Sequence, residues 1–211
     1  MYVPMHFKED SVAVLHEAMG RIGFGTLVTL GAEGFEASHV PMLVDPTPAP
    51  RGTLIGHIAR GNGQWRATGA GVAALAMFVG PDAYISPGWY ATKRETGKVV
   101  PTWNYVAVHA HGRVRFFDEA ERLLRLVTRL TEAHEGRRAR PWAVTDAPAD
   151  YIAGMLKGIV GFELPIDRLE GKWKLGQNRS AADRAGVAEA LRREGDDDAA
   201  AMAAMMVEGT T

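Results

Sequence analysis

Cysteine is absent from all 211 residues. That removes disulfides, thiolate nucleophiles and cysteine-based zinc or iron–sulfur centres from consideration. Long apolar runs are missing too: no stretch of about 18 hydrophobic residues occurs, so no spanning helix is expected. The opening Met1-Tyr2-Val3-Pro4-Met5-His6-Phe7 lacks the apolar core of a secretory signal, and the expected location is cytoplasmic. A net charge of −1 gives no global attraction to nucleic acid, because neutralising phosphates needs a basic face. A dinucleotide-binding glycine loop is lacking as well. Gly20-Arg21-Ile22-Gly23-Phe24-Gly25 follows a helical pattern and enters a strand, the reverse of the required order, and no Gly-x-x-x-x-Gly-Lys-Ser/Thr loop exists. Phosphate binding would therefore have to come from side chains and local backbone donors.

What is present fits one domain with a full core, at 46% hydrophobic residues. Val12, Leu15, Met19 and Ile22 recur at helical spacing after Asp10-Ser11 and predict a first helix. Phe24–Leu30 and Phe35–Val44 read as a hairpin about Gly31-Ala32-Glu33-Gly34, its second strand broken by Pro41. A proline-rich loop, 45–52, precedes a strand over 53–59. Val72–Val79 reads as a buried strand closed by a tight turn at Gly80-Pro81-Asp82. Alternation is clearest over 106–117, with Val106, Val108, Ala110, Val114 and Phe116 opposite His109, His111, Arg113 and Arg115. Asp118 and Glu121 resemble a capping box for a helix with the stripe Leu123, Leu126, Val127, Leu130. A shorter helix is expected over 149–158, then two strands, 162–166 and 172–175. Strands with inserted helices and no βαβ rhythm predict a mainly β, α+β fold closed as an antiparallel sheet. Residues 1–179 form the expected domain; residues 180–211, rich in Ala, Met, Glu, Arg and Asp, are expected to be a peripheral, helical or partly flexible extension.

Several short runs concentrate chemistry. Arg60-Gly61-Asn62-Gly63-Gln64-Trp65 begins where a strand ends and offers a guanidinium for phosphate beside glycines that let backbone N–H groups approach; a plain glycine-rich connection is the alternative. Thr102-Trp103-Asn104-Tyr105 alternates aromatic and hydrogen-bonding side chains, suited to a planar ligand with a polar edge; core packing explains either ring equally well. Ser86-Pro87-Gly88-Trp89-Tyr90, followed by the basic 91–98 segment, reads as a lid or as a long connection anchored by Trp89. Lys174, Gln177 and Arg179 put two cations and an amide beside Trp173.

The seven histidines give little support to a metal site; His109 and His111 share a strand face, without an obvious carboxylate partner in the sequence nearby. Arg122, Arg125 and Arg129, followed by Arg137, Arg138 and Arg140, form a local basic patch. Glu119, Glu121, Glu132 and Glu135 are interleaved with it, favouring an ion-paired helix over a DNA-binding surface.

Five runs in order, Met1–Phe7, His57–Asn62, Tyr84–Tyr90, Val100–Tyr105 and Lys172–Arg179, resemble the PaiB family. The resemblance implies an FMN-binding split β-barrel of the kind shared with pyridoxamine-phosphate oxidases and small flavin reductases. It further implies a homodimer with FMN at the subunit interface, and a role as a flavin-dependent oxidoreductase or a flavin-linked negative transcriptional regulator. A haem-binding or haem-degrading protein on the same scaffold, or a regulator acting through DNA or protein contacts without catalysis, is the alternative. The residues expected at the cofactor are Arg60, Asn62, Ser86, Trp89, Thr102, Trp103, Asn104, Lys174, Gln177 and Arg179. One departure is visible: Gly176 stands where the family pattern leads one to expect Ser.

Overall fold

Ser11 halts the extended start of the chain, and its Oγ accepts the N–H of Val14 at 3.4 Å, the cap expected at this position. In the computed structural model, which describes residues 1–47, 51–67 and 71–208, α1 follows over Val12–Ile22, burying Leu15 and Met19. The remaining helices are α2 (Gln64–Ala67), α3 (Thr92–Thr96), α4 (Ala120–Glu135), α5 (Ala149–Leu156), α6 (Ala181–Glu194) and α7 (Asp197–Glu208). The strands are β1 (Lys8–Glu9), β2 (Phe24–Gly31), β3 (Gly34–Asp45), β4 (Thr53–Ala59), β5 (Val72–Ile85), β6 (Thr102–Phe117) and β7 (Ile159–Lys174). They join in the order β1-β7-β4-β3-β2-β5-β6, with β6 also pairing β7. The chain is organised as two compact units: Met1–Leu15, Val79–Val108 and Glu170–Thr211 in the first, His16–Phe78 and His109–Leu169 in the second.

The second unit holds the barrel. β2 and β3 pair from Gly31↔Gly34 to Phe24↔Pro41, the expected hairpin. Pro41 does not break β3. Its missing N–H falls where the strand changes partner, pairing with β2 ending at Pro41 and pairing with β4 starting at Met42↔Gly56. β4 pairs β7 from Thr53↔Pro165 to Ala59↔Ile159. Leu27, Met42, Leu54, Phe78, Val114, Phe162 and Leu164 are buried within this unit. α4 packs its stripe of Leu123, Leu126 and Leu130 inward as its spacing predicts, but without a capping box: its cap, Glu119, makes no side-chain bond, and Asp118 turns to Arg60 instead. Pro48 and Pro50 of the proline-rich loop lie outside the described residues.

Two expected interruptions are absent. β5 runs through Gly80-Pro81-Asp82 with no turn; its buried positions shift from Ala74, Ala76 and Phe78 to Ala83 and Ile85, a change of parity that one additional residue in the strand produces. β7 is one strand of 16 residues where two were expected.

The first unit is built on the ends of long strands. Ala83, Ile85, Val106 and Leu175 meet Val187, Ala188 and Leu191 of α6 and Ala199, Met202, Ala203 and Met206 of α7, all buried. Gly186 is needed there, since a Cβ would come within 2.5 Å of the Trp89 carbonyl oxygen. Ser180 caps α6 by accepting the Asp183 N–H at 3.1 Å. Asp183, almost fully buried, accepts from the Thr92 N–H at 2.9 Å and the Thr92 hydroxyl at 2.8 Å. The segment after Ser180 is helical, and it supplies seven of the twelve buried residues of this unit's core, five of them small Ala or flexible Met side chains.

Candidate functional site

Alternation along β6 and β7 sorts the first unit's side chains onto two faces. Val106 and Leu175 belong to the core under α6 and α7, with Trp173 packed against it. The odd-numbered residues of β6 and the even-numbered residues at the end of β7 form a second face. Here Trp103, 54% exposed, meets Tyr84, 48% exposed, edge to face with ring centroids 6.1 Å apart. Lys172 is buried, its Nζ donating to the Tyr2 carbonyl at 3.1 Å and lying 5.0 Å from the Tyr105 ring centroid and 5.6 Å from that of Tyr2. Lys174 donates to the Thr102 hydroxyl and to the Trp103 carbonyl. Burial, reinforced by the charges of Lys172 and Arg179, holds the Lys174 ammonium below the usual lysine range. Among the described residues the partners of Lys172 and Lys174 are neutral oxygens and rings, so neither charge is neutralised by a carboxylate there.

The remaining expected residues divide. Asn104 is buried on the core side, its amide donating to the Met206 sulfur of α7 at 3.5 Å. It lines a small crevice with Ile85, Tyr90, Gly176, Arg179, Arg184 and Met206. Arg179 lies over the Tyr90 ring at 5.0 Å, and burial raises the Tyr90 hydroxyl above its ordinary pKa. Asn104 and Arg179 of one chain therefore share one crevice, and no second subunit is needed to bring them together. Gln177 closes its own turn, accepting from Leu175 N–H at 2.8 Å and donating to the Trp173 carbonyl at 2.7 Å. Gly176 in that turn has φ +79°, a left-handed conformation that a serine would adopt only with strain, which accounts for the glycine. Ser86 accepts from the Gly88 N–H at 3.2 Å to start a 3-10 turn, Pro87–Trp89, and Trp89 packs on the core. The segment after it is not an open loop tip, since Thr92–Thr96 is helical and tied to Asp183.

Arg60 and Asn62 belong to the second unit and are occupied within it. Arg60 donates to the Lys157 carbonyl at 2.8 Å, the Ile159 carbonyl at 3.2 Å and Asp118 at 3.1 Å. Asn62 donates to Ser38 at 2.7 Å and accepts the Gln64 N–H at 2.9 Å, an Asx turn leading into α2. Three of the five guanidinium N–H groups of Arg60 are thus engaged by partners within the second unit. These bonds are exposed or half-buried, so Arg60→Ala is expected to lower unfolding stability by about 1 kcal/mol, the net contribution of a typical hydrogen bond. In that variant FMN and riboflavin should weaken by equal factors; a selective loss of FMN, measured by parallel fluorescence titrations, would restore the phosphate role. Gln64, in the same run but not among the residues expected at the cofactor, is buried as a clamp, its amide donating to the Leu27 carbonyl and the Thr29 hydroxyl, both at 3.1 Å, and to the Glu36 carbonyl at 3.3 Å.

The basic helix is ion-paired as its sequence suggests. Arg122 reaches Glu163 at 3.0 Å, Arg129 reaches Asp45 at 3.0 Å and Arg138 reaches Glu135 at 2.8 Å. No helix of the described residues is long and apolar enough to cross a membrane.

Residues 1–168 match the family described as "Putative FMN-binding domain". The chain is 34% identical over 206 residues to "Protease synthase and sporulation protein PAI 2" of Bacillus subtilis, covering 98% of this chain and 96% of that protein. It is 36% identical over 203 residues to an uncharacterised protein of Aspergillus fumigatus, covering 77% and 78% of the two chains. Among solved structures, it resembles the FAD and haem binding protein from Mycobacterium smegmatis with TM-score 0.57 and 14% identity, over 84% of this chain and 78% of that one. It resembles the flavocytochrome Anf3 from Azotobacter vinelandii with TM-score 0.58 and 10% identity, over 87% and 78%. At those identities the likeness is one of fold, and the fold is the split β-barrel.

Proposed function

Because the chain belongs to the PaiB family, we propose that it is an FMN-binding flavoprotein, a homodimeric flavin-dependent oxidoreductase whose cofactor engages the aromatic and cationic face of the first unit. The observation that carries this reading is a set of cations with no carboxylate partner among the described residues: Lys172 and Lys174 are held by carbonyls, a hydroxyl and rings. FMN bears negative charge on its phosphate and gains more on its ring when reduced, and such a cluster complements both. Exposed Trp103 and Tyr84 offer aromatic surface to a planar ring. The residues fit the cofactor.

When bound, FMN supplies electron and hydride transfer at its own ring, so a chain with no cysteine lacks nothing the chemistry requires. The protein's part is to hold the anionic group with Lys174, to keep that ammonium fixed through Thr102 and the Trp103 carbonyl, and to shield one side of the ligand with aromatic surface. A regulatory role linked to flavin is the second reading; the Bacillus subtilis relative is named a protease synthase and sporulation protein. The haem alternative has fold likeness alone behind it. Titration of the purified chain with FMN tests the proposal, with saturable binding of one FMN per chain expected.

A further inference from the structure

The second unit carries a groove that the flavin reading leaves unused, with a volume of about 320 Å³ and a lining of Asp45, Thr47, Thr53, Ile55, Phe117, Arg122, Arg125, Leu126, Arg129 and Glu163. None of the ten residues expected at the cofactor lines it. We propose that this groove is a second ligand site, for a small organic carboxylate with a compact apolar body, independent of the flavin.

The charge pattern carries the inference. Arg122, Arg125 and Arg129 stand at i, i+3 and i+7 of α4, on one helical face, so three guanidinium groups open on the same groove. Two of them are fixed in place. Arg129 is held by Asp45 at 3.0 Å, and Arg122 by Glu163 at 3.0 Å with the Phe117 ring 3.9 Å beneath it. Both carboxylates are consumed by these contacts. Asp45 also accepts from the Thr47 N–H at 3.1 Å and the Thr47 hydroxyl at 2.9 Å; burial raises its pKa, but the Thr47 bonds and Arg129 outweigh that and leave it below the ordinary carboxylate value. Glu163 faces a further cation, Arg115, at 3.9 Å.

Arg125 is different. Its partner is Glu121 at 3.7 Å, with both side chains largely exposed, at 66% and 91%. Such a pair contributes little in water and is readily exchanged for a ligand. The groove thus holds one loosely paired guanidinium flanked by two held at 3.0 Å by carboxylates, the arrangement that favours a bidentate carboxylate. Its apolar lining comes from Ile55 of β4, the buried Leu126 and the Phe117 ring. A bare inorganic anion would leave that surface wet, and a neutral apolar molecule would leave Arg125 unanswered. A carboxylate on an apolar body satisfies both, and the volume is at the lower end for small-ligand sites.

Benzoate is the probe, titrated into the flavin-loaded full-length protein by calorimetry, with benzyl alcohol as the uncharged counterpart and inorganic phosphate as the charge without the ring. One benzoate per chain is expected, at least about tenfold tighter than either control. Arg125→Gln, an exposed change, should weaken benzoate about tenfold or more, while flavin content and the melting temperature stay at wild-type values. Lys174→Met should leave benzoate binding unchanged, which separates failure of this site from failure of the flavin site. No benzoate binding, equal binding of benzoate and benzyl alcohol, phosphate binding as tight as benzoate, or an Arg125→Gln variant that binds benzoate normally would each overturn the proposal.

Discussion

A chain cut after Ser180 is expected to lose its cooperative fold, although residues 1–168 alone match the family. The deletion strips Val187, Leu191, Met202 and Met206 from the core of the first unit and uncovers Ile85, Tyr90, Val106 and Leu175. Each of these is at most 5% exposed in the intact chain. Burying one large apolar side chain stabilises by about 1.5–3 kcal/mol, so four lost from the helices alone amount to roughly 10 kcal/mol. Domain stabilities are of that same order, about 5–15 kcal/mol. Removal of Asp183 also leaves the Thr92 N–H and hydroxyl without their acceptor. Thermal melting followed by circular dichroism measures the effect: the full chain melts in a single transition and the truncated one shows none, or is recovered as aggregate. A truncated chain melting within a few degrees of the full one would show that α6 and α7 are dispensable.

The second large effect is expected at Lys174. Lys174→Met keeps the apolar stem and removes the charge, so packing survives while the anion loses its partner. A hydrogen bond to a charged group contributes about 1.5–3 kcal/mol, which translates to roughly a ten- to hundredfold loss of FMN affinity. Flavin fluorescence quenching reads the change directly. The pH dependence carries a second signature. Burial and the neighbouring cations lower the Lys174 pKa, so the charged form that holds an anion is lost earlier as pH rises than for an ordinary lysine. Wild-type affinity should therefore fall on the alkaline side, and the methionine variant, already without the charge, should show no such fall. A variant that binds FMN as the wild type does at every pH would remove Lys174 from the site.

Local pattern made much of this fold legible, and its limits follow from what a pattern can encode. Alternation over Val106–Phe117 placed buried Val106, Val108, Ala110 and Val114 opposite the more exposed His109, His111, Arg113 and Arg115, because a strand has a period of two whatever surrounds it; Ala107, buried, and Phe116, half-buried, depart from it. The stripe of α4 and the hairpin of β2 and β3 were legible for the same reason. Proline and glycine misled where the tertiary setting overrides local preference: Pro41 sits at a change of partner, and Gly80-Pro81-Asp82 lies within β5. The Ala- and Met-rich end reads as peripheral because its helices reveal their buried side largely against residues such as Ile85 and Val106, far earlier in the chain.

The site was less legible than the fold, for a related reason. Arg60 and Asn62 resemble a phosphate loop in composition, yet their partners, Lys157, Ile159, Asp118 and Ser38, are from 24 to 99 residues away, and nothing local announces them. Asn104 resembles a ligand contact but faces Met206, 102 residues further on. Thr102, Trp103 and Lys174 do come together, through the Lys174 bonds between the ends of β6 and β7.

FMN binding by the purified full-length chain is the measurement that bears most directly on this account. Calorimetric titration is expected to give one FMN per chain with a Kd of about 1 μM or tighter, and riboflavin, lacking the phosphate, at least about tenfold weaker. A folded chain that gives no saturable FMN binding at concentrations of roughly 100 μM would contradict it.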